Sequence, residues 1–132
     1  MNKEQRIVAH QWCEEHRSCA VCWWPESAFG RALHLHHLVS GVNRHKAHDP
    51  KCYLRLCDRC HEVYHNGKVC GLFPDLNASI LLTAKRESDI ENYDPAHLAK
   101  LKNKKHLGYE PAPIPEFYLR EREVNLTKDR RA

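Results

Sequence analysis

A chain of 132 residues, 42% hydrophobic and 29% charged, has room for one compact domain with appendages rather than two full domains, and none of it is long and apolar enough to cross a bilayer. A net charge of +4 permits contact with a polyanion without demanding it. The opening "MNKEQRIVAHQWCEEH" lacks the apolar core of a secretory signal, so a cytoplasmic, reducing setting is expected, with the 7 cysteines as thiols or metal ligands rather than disulfides.

In chain order, residues 3–16 are predicted as an amphipathic helix, with Ile7 or Val8 and Trp12 on the apolar side and Glu4, Gln11, Glu14 and Glu15 on the wet one. "SCAVCWWPE" (18–26) forms a tight turn between two cysteines, closed by Pro25. "ALHLHHLV" (32–39) alternates Leu33 and Leu35 with His34 and His36, the period-two pattern of a half-buried strand. A polar loop over 40–51 leads to "CYLRL" (52–56), a second strand antiparallel to the first. Asp58 is placed as the cap of a short helix over 59–66 that Gly67 ends. Further helices are predicted over 77–89 and 94–105, the latter with Asp94 as N-cap and Pro95 at its first position. Three prolines make 110–116 an extended connector to a terminal helix.

Coordination chemistry gathers in the first half: residues 1–66 hold 9 of the 11 histidines and 6 of the 7 cysteines. Cys19-x-x-Cys22 and Cys57-x-x-Cys60 are two turns whose sulfurs complete a tetrahedral shell, and four protein ligands leave no open position, so this zinc is structural. His61 and His65 lie one helical turn apart and His36 ends the first strand opposite them, so two or three neutral imidazoles converge on a second cation outside the cysteine cage. His37, the next residue, projects differently and is free of the metal.

With these residues in view, "LHLHHLVSG … CYLRLCDRCHEVYHNG" resembles the HNH endonucleases with a ββα-metal core, in particular those clamped by two CxxC pairs. The resemblance covers about residues 15–67 and implies an α+β fold, a zinc-stabilised treble-clef-like core with helical N- and C-terminal extensions. It also implies metal-dependent hydrolysis of DNA phosphodiesters. His37 matches the general base, His36 and His61 the metal ligands, and His65 the further histidine of zinc-preferring members. The active-site ion implied is Mg²⁺, Mn²⁺, Ni²⁺ or Zn²⁺. At the family's usual Asn position, nine residues before His61, stands Cys52, whose thiol orients a base imidazole poorly. Asn43 is an alternative partner for His37; reduced activity and a one-residue slip of the alignment are the other readings of this departure.

Arg44 and Lys46 in the loop and Arg55 and Arg59 beside the second strand are the expected phosphate contacts, and Lys100, Lys104 and Lys105 would extend that footprint. The expected organisation is a nuclease core over 1–70, a helical extension over 71–109 and a connector with terminal helix over 110–132. DNA is the expected partner, a bacterial or phage-infected cell the setting by analogy, and a homodimer through the C-terminal helices the expectation if the chain is a junction-resolving subtype. A competing reading of the same residues is a zinc-stabilised DNA-binding module that does not cut.

Overall fold

A computed structural model describes residues 1–39, 41–102 and 110–129. Lys104, Lys105 and the end of the helix predicted over 94–105 lie outside these residues. Among those described, the chain is α+β, with five α-helices and one two-stranded antiparallel sheet. No described helix is long and apolar enough to cross a membrane.

The first helix, α1 (Lys3–Glu15), begins with a capping box: Gln5 N–H donates to Asn2 Oδ1 (2.8 Å) and Asn2 N–H to Gln5 Oε1 (2.9 Å). Its buried side is Ala9 and Trp12, while Ile7 and Val8 remain 49% and 41% exposed, so the expected stripe is shifted by one or two residues. Trp12 packs edge-on against Tyr53 of the sheet.

Strands β1 (Leu33–His37) and β2 (Tyr53–Cys57) pair with His37 opposite Tyr53, His36 opposite Leu54 and Leu33 opposite Cys57. The loop between them contains two 3₁₀ turns, Gly41–Lys46 and Pro50–Cys52. Asp49 caps the second by accepting from Lys51 N–H (2.8 Å), which is why β2 starts one residue later than predicted. β2 is buried along its whole length because α1 covers the Tyr53 face and other helices cover the Leu54 and Leu56 face. On β1 the alternation holds, but the buried residue is His36, and Leu33 and Leu35 are only half-buried.

The helix that follows, α2 (Asp58–Cys70), has Cys57 rather than Asp58 as its N-cap. Its first helical run breaks at Asn66, where φ −133° and ψ 30° leave the helical region, beside the predicted stop at Gly67; a second run ends at Gly71, whose φ of +63° is the left-handed conformation that favours glycine. The Asp75 side chain comes close to Gly67: a Cβ there would lie 2.7 Å from Asp75 Oδ1. Helices α3 (Ala78–Ser88), α4 (Pro95–Leu101) and α5 (Glu116–Asp129) follow, and Asp94 caps α4 as predicted, accepting from His97 N–H at 3.1 Å.

One buried cluster joins all three segments, with Leu54, Leu56 and Val63 meeting Leu81, Leu82, Leu98, Ile114 and Tyr118. The connector does not leave α5 standing apart. Arg122 Nε donates to Val21 O (2.8 Å) and Asn125 Nδ2 to Cys22 O (2.8 Å), so the terminal helix grips the first cysteine turn.

Beneath α1, the fully buried Lys85 donates to Asp89 Oδ2 and to Pro50 O (2.6 Å each), and Trp12 Nε1 donates to the same carboxylate (2.8 Å). Truncating one partner leaves a buried charge uncompensated, so Asp89→Ala is expected to cost about 3–5 kcal/mol, read as a shifted denaturant midpoint.

Candidate metal centres

The first centre is built from two turns. Cys19 N–H donates to Trp24 O and Trp23 N–H to Cys19 O, both 2.9 Å, and Trp23 takes a φ of +64° to close the turn. Cys57 and Cys60 sit at the start of α2. All four sulfurs are buried and lie within 4.8 Å of one another. Cys22 Sγ and Cys57 Sγ are 3.7 Å apart, against an edge of about 3.8 Å for tetrahedral Zn–S bonds of about 2.3 Å. The residues therefore fit a structural metal ion such as zinc. Burial pushes the Cys19 thiol up, while hydrogen bonds from Cys19, Cys22 and Cys60 drive Cys57 down.

Two arginines serve this cluster. Arg31 Nη1 lies 3.8 Å from both Cys22 Sγ and Cys57 Sγ, its guanidinium over the Trp24 ring, and Arg59 Nη2 lies 3.6 Å from Cys60 Sγ. Their cationic donors offset the negative charge that four thiolates bring to one divalent ion. This corrects the assignment of Arg59 to phosphate: its guanidinium is largely buried, forked onto Glu121 and aimed at sulfur. Arg55 is likewise buried and paired with Glu26 on the opposite side of the sheet from the histidine face.

The second group is His36, His61 and His65, whose ligating nitrogens lie within 4.8 Å of one another. Strand alternation turns His36 toward α2, and successive turns of α2 bring His61 and His65 to meet it, with ring centroids 5.7 and 5.8 Å from His36. Burial, then the His61 and His65 rings, lower His36 to about 3, and burial also lowers His61, so both imidazoles are neutral and keep their lone pairs at neutral pH. Three nitrogen ligands suit a divalent ion with positions left open. His34, one pair of residues earlier on β1, stacks on His61 (5.1 Å, 21°) and bonds Asp58, which also accepts Ala32 N–H at 3.0 Å. This outer pair fixes the His61 ring.

These rings open onto a cavity of about 190 Å³ that His37, Arg44 and Tyr64 also line. His37 projects to the other strand face and packs edge-on against His48 (5.4 Å) and Tyr53 (5.3 Å). Both its ring nitrogens are shielded and make no hydrogen bond, and burial, then Arg44 and His48, hold it down at about 4. Asn43 does not orient it, because its amide donates to Leu101 O (2.6 Å). Cys52 does not line this cavity: its buried thiol faces Asp49 Oδ2, 3.9 Å away, and burial and that carboxylate push it up to about 12. His48 is the neighbour that sequence reasoning missed, and no spacing pattern pointed to it. Of the expected basic contacts, Arg44 and Lys46 are exposed, and Arg44 lines the cavity.

Comparison with known proteins returns no matching family model, no matching curated protein and no matching solved structure.

Proposed function

We propose that the chain is a metal-dependent endonuclease of the HNH, ββα-metal type that hydrolyses DNA phosphodiester bonds. The observation that carries this reading is the convergence of His36, His61 and His65 within 4.8 Å, on a cavity shared with His37 and Arg44. The strand–strand–helix order, with a cysteine cluster at the start of the same helix, supports it as well.

In this reading the three imidazoles hold Mg²⁺, Mn²⁺, Ni²⁺ or Zn²⁺, which when bound supplies charge neutralisation at the scissile phosphate. Arg44 draws the phosphodiester to the cavity mouth. The neutral His37 takes a proton from water as its oxygen bonds to phosphorus. The bond from phosphorus to the 3′ oxygen breaks and that oxygen takes up a proton from solvent, leaving 5′-phosphate and 3′-hydroxyl ends. Both His37 nitrogens are shielded, so this reading requires the ring to turn toward the cavity when substrate binds. Plasmid nicking by the wild type across the four ions is the test, and absence of cutting with every ion defeats the reading.

The same shielding of His37, with no hydrogen-bond partner among the described residues, favours a second reading, a zinc-stabilised module that binds DNA without cutting. Such a module retards plasmid DNA in a gel yet leaves it supercoiled under all four ions.

A further inference from the structure

Cys52 departs from the residue expected at its position, and its surroundings explain what it does instead. Asp49 Oδ1 is taken by the N–H of Lys51, which leaves Oδ2 facing Cys52 Sγ at 3.9 Å and His97 Nε2 at 3.7 Å. The three candidate ligand atoms all lie within 4.8 Å of one another. Cys52 is fully buried, and His97 Nε2 is shielded from solvent yet makes no hydrogen bond among the described residues. A hydrogen-bonded cap network would have used that nitrogen. Tetrahedral zinc with bonds of about 2.0–2.3 Å separates sulfur from oxygen by about 3.6 Å and nitrogen from oxygen by about 3.4 Å, so each observed gap exceeds the required one by a few tenths of an ångström.

We infer that Asp49, Cys52 and His97 form a further zinc site, holding one Zn²⁺ through a carboxylate, a thiolate and an imidazole. The donor set is the borderline-soft mixture that suits Zn²⁺ over Mg²⁺. The ion clips the turn that enters β2 to the start of α4, where the Lys51–Asp94 ion pair (3.1 Å) already joins the same two elements. It therefore holds the loop carrying Arg44 and Asn43 against α4, a role independent of whether the histidine centre cuts DNA.

The full chain, saturated with Zn²⁺ and dialysed, is counted for bound ions by native mass spectrometry. His97→Gln, which leaves the Asp49 cap intact, is expected to hold one zinc fewer than the wild type with unchanged circular dichroism. The same loss of one is expected in a His61→Ala background, which separates this ion from any at the histidine centre. An equal count in wild type and His97→Gln overturns the site. Should the variant fold poorly, the wild type loaded with ¹¹³Cd²⁺ decides the matter: a resonance from a one-sulfur site, distinct from that of the four-sulfur site, supports the inference, and its absence refutes it.

Discussion

Replacing His37 with alanine is expected to lower plasmid nicking by about 10²- to 10⁴-fold, the span that a positioned general base contributes. The loss follows from position. His37 is the imidazole on the cavity wall that lies outside the three-histidine group, so its removal deletes the proposed proton acceptor and leaves His36, His61 and His65 in place. Zinc or manganese binding should therefore persist in His37→Ala while cutting falls. His61→Ala should lose both, because that ring is one of the three donors. His10→Ala is the control: its exposed ring on α1 pairs with Glu14, and cutting should stay at the wild-type rate. Equal cutting by wild type and His37→Ala would remove the base from the mechanism.

Stripping the ion from the four-cysteine cluster is expected to unfold the chain. Structural zinc contributes about 10–16 kcal/mol of folding free energy in zinc-finger peptides, a sum comparable to the whole stability of a small domain. Here the cage joins the first cysteine turn to the start of α2, and α5 is fastened to that turn through Arg122 and Asn125. Loss of an ion held there would thus loosen the first cysteine turn and α5 together. A chelator titration should lower helical circular dichroism and shift the tryptophan emission as Trp23 and Trp24 leave the turn, and Cys57→Ser should behave like the stripped wild type. Unchanged ellipticity and emission after complete zinc removal would show that apolar packing alone holds the fold.

The cysteine cage was legible in the sequence because each CxxC pair is a local turn, and local spacing survives into structure. The histidine group was legible for the same reason: strand alternation and one helical turn place His36, His61 and His65 without knowledge of the rest of the chain. What failed to show were partnerships made across the chain. Arg59 meets Glu121 and Arg55 meets Glu26, pairs with no periodic signature, so two buried structural cations read as surface ones. Arg31 on the sulfurs was hidden likewise. Cys52 and Asp49 are close in sequence, but His97 comes from another helix, and only the fold brings it to them.

Anomalous diffraction from crystals of the full chain soaked in Mn²⁺ tests the central claim most directly. The account predicts a manganese peak within bonding distance of the ring nitrogens of His36, His61 and His65, separate from a zinc peak among Cys19, Cys22, Cys57 and Cys60. A zinc peak at the cysteines with no manganese between the three imidazoles would contradict it.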